Sequence, residues 1–373
     1  MEGKPAKRTI LQTAQEEPED LFVVHGQTKN ITSLTFIYRS ECGVANPMTP
    51  ELIRKYWFGL GATVQQYFET CSYGQLRFPE ERNKVIGPVD IPCAGTAGGY
   101  KYDLANGNGM GNDPPDLEGE LWALPSLALE HLQKAVPACR PGDFDRCNVW
   151  MNPEPRDGVA PDVMTVFHEI LHNIGLRHSA GPKCDDSGCW IEQSYKLGWS
   201  HAVSGGGEIQ LVKLVPGTNY EYTLPAAANS NYNMLRIMVP QEGMPAGQER
   251  AVFVSYRVRP GPGDGTLYDS GLTDDQDVSL RIHEYNETAN EAAASQSPLL
   301  LATLSLGGPA SEPGRAALGS SSSYHYSPLG AQYGLKVTMA SGSAAFAHVV
   351  LCAYEHGKAG GASSCGMDEA LTM

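Results

Sequence analysis

No stretch of 18 or more apolar residues occurs in the chain, so nothing in it reads as a membrane-spanning helix. Positive charge is scarce as well: 27 Lys and Arg stand against 42 Asp and Glu, for a formal net charge of −15. A nucleic-acid binder needs a basic footprint, and that class is set aside. The opening residues, MEGKPAKRTILQTAQEEPED, have no apolar core of the kind a secretory signal peptide carries. Residues 1–30 therefore read as a solvated tail or the remnant of a pro-segment. No internal repeat is visible.

Cysteine, by contrast, is plentiful. The nine residues Cys42, Cys71, Cys93, Cys139, Cys147, Cys184, Cys189, Cys352 and Cys365 are many for a cytosolic enzyme and favour disulfides. Their odd number leaves at least one thiol unpaired within the chain. Two sequons, Asn30-Ile31-Thr32 and Asn286-Glu287-Thr288, fit an extracellular life. The expectation is a secreted protein whose signal was removed or lies outside this sequence.

A length of 373 residues with 41% hydrophobic content suits a globular chain with a large core and two domains. Up to about residue 205, helix and strand signals are mixed. SLTFIY (Ser33 to Tyr38) is a short β-rich run. PELIRKYWFGLGATVQQYFET (Pro50 to Thr70) carries apolar residues at helical spacing, with Pro50 placed to start a helix and Gly59 and Gly61 weakening its middle. GQLRFP, NKVIGPVDIP and FDRCNVWMN read as strands, and DLEGELWALPSLALEHLQKAV as a helix broken or kinked near Pro125. After Trp199 the texture changes. Seven runs (GEIQLVKLV, NMLRIMV, ERAVFVSYRV, VSLRIHEY, PLLLATLSL, YGLKVTMAS and FAHVVLCAY) alternate with turn residues, which predicts an all-β, sandwich-like region. SEPGRAALGSSSS (Ser311 to Ser323) reads as a loop within it. The boundary falls near residue 205, within SGGGE, and residues 357–373 read as a flexible tail.

The most informative stretch is HEILHNIGLRHS, from His168 to Ser179. Asp162 can cap a helix that begins at Val163, and Val163, Val166, Phe167, Ile170, Leu171 and Ile174 form its buried face. His168 and His172, four residues apart, project from nearly the same side of that helix and can grip one ion. Glu169 is angled toward a water on the ion rather than the ion itself. Gly175 can take the left-handed conformation that ends the helix, and three residues later His178 supplies a third ligand. H-E-x-x-H alone would arise by chance in at most about 3% of chains of this composition. With the added glycine and third histidine that falls below roughly one in ten thousand. The spacing therefore predicts a zinc site.

On those residues the chain resembles the metzincin metallopeptidases, and within them the gametolysin family, peptidase M11, best known from volvocine green algae. The resemblance rests on YWFGLGATVQQYFETCSYGQLRF (Tyr56 to Phe78), TVFHEILHNIGLRHS and YKLGWSHA (Tyr195 to Ala202), with VFVSYRV and SLRIHEYN in the β-rich part, and extends over roughly residues 30 to 356. Some members carry Gln at the first motif position, where this chain has His168. The resemblance implies an α+β fold. A metzincin-like catalytic domain at 31–205, a twisted mixed sheet with an active-site helix, would be followed by an all-β sandwich-like C-terminal domain at 206–356. It implies a secreted, zinc-dependent metalloendopeptidase acting on Pro/Hyp-rich glycoproteins of the extracellular matrix or cell wall. His168, His172 and His178 would hold Zn2+, and Glu169 would take a proton from the attacking water and hand it to the departing amine. Neither nucleic acid nor membrane is an expected partner.

Two features depart from that pattern or extend it. Metzincins place a methionine turn beneath the metal, yet the interval SAGPKCDDSGCWIEQSYK holds no methionine; the nearest later one, Met234, reads as part of a strand. The turn is expected to be shortened or replaced, held by a Cys184–Cys189 disulfide or left with two separately partnered thiols, and Tyr195 is a candidate oxyanion donor. This departure motivates a second reading, a zinc-binding, catalytically weak homologue that binds wall glycoprotein. The other feature is SECGVANP around Cys42, which echoes the cysteine switch of matrix metalloproteinases. Because Cys42 directly follows the first strand, a structural disulfide or loop thiol is the expected role.

Overall fold

In the computed structural model the chain is described over residues 24, 26–40, 42, 49–105, 123–124, 126–131, 146–150, 198–239, 248–261, 267–274, 276–288, 298–306, 322–327, 332–356 and 361–366. Over these residues it is mostly β-strand with few helices, in parallel, antiparallel and mixed sheets. None of the described helices is long and apolar enough to cross a membrane.

The chain enters through Lys29–Asn30 (β1) and Ser33–Ser40 (β2). Residues Ser33 to Tyr38 are buried on both faces of β2, as a central strand of a covered parallel sheet must be. The helical stretch expected from Pro50 to Thr70 is two helices, Pro50–Phe58 (α1) and Val64–Cys71 (α2). Gly61 takes a φ of +93°, open to glycine and strained for other residues, and that is where the chain turns between them. Thr49 and Thr63 cap the two N-termini, accepting hydrogen bonds from the Leu52 and Gln66 N–H groups. Trp57, Phe58 and Phe68 close on one ring, Phe78, at centroid distances of 5.9, 5.6 and 5.6 Å.

Leu76–Arg77 (β3) pairs with β1, and Asn83–Ile91 (β4) lies parallel to β2. A hairpin, Ala94–Ala97 (β5) and Tyr100–Asp103 (β6), follows. Its Gly98-Gly99 turn, with both φ angles positive, matches the twist of an antiparallel pair. Arg146–Trp150 (β7) completes a three-stranded, all-parallel sheet in the order β4-β2-β7. The alternation along β2 splits two layers of packing. Leu34, Phe36 and Tyr38 pack with Leu124 and Ala128 of the helical residues near 123–131, and the Tyr38 hydroxyl donates to the Leu124 carbonyl at 2.9 Å. Ile37 joins the α1 and α2 side, where Trp57 Nε1 donates to Thr35 Oγ1.

The remaining strands are His201–Ala202 (β8), Ile209–Gln210 (β9), Asn219–Pro225 (β10), Tyr232–Val239 (β11), Gln248–Arg257 (β12), Ser279–Thr288 (β13), Leu299–Ser305 (β14), Ser322–Tyr326 (β15), Tyr333–Gly342 (β16) and Phe346–Glu355 (β17). They form two sheets: β14-β13-β12-β11-β8, with β9 also on β11, and β10-β17-β16-β15. The first is mixed, because β8 and β9 run parallel to β11. Inward residues of both sheets make one core, from Leu235, Val254 and Ile282 on one side to Leu335, Val337 and Leu351 on the other. All its fully buried members lie between Ile209 and Ala353. Within the stretch expected as a flexible tail, Cys365 is disulfide-bonded to Cys352 on β17 and accepts a hydrogen bond at its carbonyl from the buried Lys336 ammonium at 3.2 Å. Residues 361–366 are thus fastened to the outer face of that sheet.

Leu351 is fully buried at the centre of the shared core. Leu351→Ala is expected to cost about 2–5 kcal/mol of stability, read from urea unfolding midpoints.

Candidate functional site

His168, Glu169, His172 and His178 lie outside the described residues, as do Tyr195 and the Cys184 and Cys189 pair. What the structure places is the frame on either side of them. The strands β2, β4 and β7 are parallel, so their carboxyl ends share one edge of the sheet, and from the β7 end at Trp150 the chain runs on toward His168. Ligand sites of open parallel sheets gather at that edge. Among the described residues, no group of three or more His, Cys, Asp or Glu could hold a metal ion. The histidine set of the motif therefore has no rival among them.

The chain reappears at Gly198 and is tied down at once. Trp199 is buried in the core made by Ile53, Trp57, Val64 and Phe68, and its carbonyl accepts from Gln75 Nε2 at 3.0 Å. The buried Ser200 hydrogen-bonds the Tyr73 hydroxyl. The His201 N–H donates to the Asn231 carbonyl at 2.6 Å, and β8 then joins β11. Met234 sits in that register, packed with Met238, Ala251, Phe253 and Tyr285, so it belongs to a strand and not to a turn.

These contacts lead into a buried polar seam between the first 105 residues and the two-sheet region. The Tyr73 hydroxyl donates to the Ala227 carbonyl at 2.7 Å and accepts from Asn233 Nδ2 at 2.6 Å. Its ring lies 5.4 Å from that of Tyr268, and the Arg257 guanidinium stands 5.1 Å from the Tyr268 ring centre. Arg257 and Asp269, both buried, form an ion pair through Nε and Nη2. Burial works against the Arg257 charge, but Asp269 first, with Tyr268 and Tyr73, outweighs it and leaves the pKa above its ordinary value. Desolvation pushes Tyr73 and Cys71 each up to about 12 and Tyr268 well above its ordinary value. Tyr73, Tyr268 and Cys71 therefore stay protonated at neutral pH. The sequence carries no signal for the seam, since Tyr73 lies far along the chain from Arg257 and Asp269.

The gametolysin peptidase M11 profile matches residues 31–134 and 156–302, a span that takes in α1, α2 and the whole H-E-x-x-H-x-x-G-x-x-H stretch. The class this defines is a family of peptidases. The chain belongs to the gametolysin peptidase M11 family. Among curated proteins it is similar to "Autolysin" of Chlamydomonas reinhardtii, at 22% identity over 388 residues, covering 76% of this chain and 59% of that protein. It thus spans about three fifths of the length of the curated relative it matches. No solved structure matches the chain.

Two outcomes are expected of the seam. Asp269→Ala strands the Arg257 charge in the interior and should cost about 3–5 kcal/mol in urea unfolding. The second concerns pH. Tyr73 keeps its proton in the folded state up to about 12, while the unfolded chain loses it near 10. Its contribution is therefore intact below pH 10 and is lost as pH rises from 10 toward 12, by at most about 1.4 kcal/mol per pH unit. Unfolding midpoints measured across that window should fall, and less steeply in Tyr73→Phe.

Proposed function

We propose that the protein is a secreted zinc metalloendopeptidase that hydrolyses peptide bonds in Pro/Hyp-rich glycoproteins of an extracellular matrix or cell wall. The observation that carries this reading is the M11 family match over a stretch that contains His168, Glu169, His172, Gly175 and His178 in unbroken spacing. The donor set fits the metal: three neutral imidazoles, two of them four residues apart in sequence, suit Zn2+ and leave one position open. When bound, the ion supplies Lewis acidity to a water and to the scissile carbonyl. His168, His172 and His178 are assigned as its ligands. Glu169, next to the first ligand and not itself a ligand, is assigned to accept the proton of the attacking water and to deliver it to the departing amine.

The division of labour along the chain is part of the same proposal. Residues 31–205 are assigned as a metzincin-like catalytic domain and 206–356 as a sandwich-like β domain. In support, the largest core draws its buried members from residues 209–353, while Trp199 packs in the core of the first part. The Cys352–Cys365 disulfide and the exposed Asn30 of the first sequon fit an oxidising, extracellular location.

One observation favours a second reading. The interval from His178 to Trp199 lacks the methionine that metzincins place beneath the metal. A homologue that holds zinc with little turnover, and binds wall glycoprotein through its β-rich part, would tolerate that change, because the methionine is not a ligand.

Glu169→Ala is expected to retain zinc by metal analysis while losing nearly all cleavage of gelatin or a Pro-rich glycoprotein. His172→Ala should lose the metal itself. Chelator-sensitive cleavage by the wild type supports the peptidase, and zinc-loaded protein with no turnover supports the binding module.

A further inference from the structure

Among the described residues, Cys42, Cys71 and Cys93 are not joined in disulfides. Their surroundings differ sharply. Cys71 sits by the seam, its thiol desolvated and pushed up to about 12. Cys42 is exposed and Cys93 half-buried, and the two meet. Ser40 Oγ lies 2.9 Å from Cys42 Sγ and 3.4 Å from Cys93 Sγ, and the two cysteine side chains hydrogen-bond each other.

The sheet explains the encounter. Ser40 of β2 and Ile91 of β4 are the last registered pair of these parallel strands, joined one step earlier by the Arg39–Asp90 ion pair, whose Nη2–Oδ2 distance is 2.7 Å. Cys42 and Cys93 each follow two residues later, so equal offsets bring them side by side. Neighbouring strands run about 4.8 Å apart, and a disulfide needs Cα atoms roughly 4.4–6.8 Å apart. The two thiols therefore occupy a site a disulfide can span with little backbone movement.

We propose that Cys42 and Cys93 are a modification site, oxidised to a disulfide that ties the carboxyl ends of β2 and β4 together. The co-reactant is a disulfide donor, such as oxidised glutathione or a protein dithiol oxidase in its disulfide form. The exposed Cys42 thiolate attacks one donor sulfur, forming a mixed disulfide and releasing the first donor thiol. The Cys93 thiolate then attacks Cys42 Sγ and displaces the second. Two electrons and two protons pass from the cysteine pair to the donor. The bond closes a loop that contains α1, α2 and β3, and it restrains the same sheet edge from which the chain leaves β7 toward His168. It also gives Cys42 a partner other than a metal ion. The proposal does not rest on the peptidase reading.

The test is peptide mapping of the full chain refolded in a reduced and oxidised glutathione pair, alkylated without reduction and digested with trypsin. Cys42 falls in the peptide 40–54 and Cys93 in 85–101, each the sole cysteine of its peptide. The expected product is 40–54 joined to 85–101, alongside an intact Cys352–Cys365 link that reports a folded chain. In Cys93→Ser, Cys42 should become freely alkylated with Cys352–Cys365 still protected, and Tm should fall by several degrees. Recovery of the two peptides separately alkylated from chain with the Cys352–Cys365 link intact overturns the proposal. So does either one joined to a different cysteine.

Discussion

Arg257 can remain charged in the interior only because Asp269 meets it there, and much of the molecule is arranged around that requirement. The guanidinium reaches inward from β12, the carboxylate comes from the segment just beyond it, and Tyr268 lays its ring beside both. Tyr73 then brings the end of α2 onto the same spot and fixes itself to Ala227 and Asn233 of the two-sheet region. A buried pair of this kind adds little net stability over an apolar substitute, but it tolerates few other arrangements. The link between the N-terminal part and the two-sheet region runs through Tyr73, which stands beside Tyr268 and bonds Ala227 and Asn233, while Trp199 to Ala202 touches both parts.

That segment matters because it follows the H-E-x-x-H-x-x-G-x-x-H stretch, the proposed metal site, in the chain. Its anchors are of several kinds. Trp199 is held by apolar packing, its carbonyl by Gln75, Ser200 by Tyr73, and Ala202 by strand pairing. On the other side, β7 is fixed by a parallel ladder to β2. A ligand set carried between two such anchors gains from their rigidity, since metal geometry tolerates errors of only a few tenths of an ångström.

Local patterns made much of this legible before any coordinates. The β-rich run SLTFIY marked β2, and the runs NMLRIMV and ERAVFVSYRV marked β11 and β12, while Pro50 to Thr70 read as one helix with a weak middle at Gly59 and Gly61, where the structure has two. The β5–β6 hairpin went unread although Gly98-Gly99 is a turn signal of the strongest kind, because its strands are short and carry few β-branched residues. Two further strands, β10 and β15, are edges of their sheet, and edges need only one satisfied face. In NYEYTLP that face is Tyr220, Tyr222 and Leu224, an alternation visible in hindsight. In GEIQLVKLV the apolar run supplied only the two-residue β9 before a 3₁₀ turn, since burial of Leu211 did not need a strand. The candidate site divides the same way. A motif confined to eleven residues is read directly, whereas the seam and the Cys42–Cys93 encounter depend on which strands become neighbours, and that is set by the whole fold.

The elbow between α1 and α2 has a consequence for the integrity of the chain. Leu60 is fully exposed there, flanked by Gly59 and Gly61, so the backbone of this bend is open to attack from solvent. The helices on either side do not depend on that covalent link for their placement. Trp57 and Phe58 from one, and Phe68 from the other, close on the same Phe78 ring, and each N-terminus carries its own threonine cap. A single scission at the elbow leaves two fragments interlocked by an aromatic cluster. On a denaturing gel such a chain is two bands, and in solution it is still one particle.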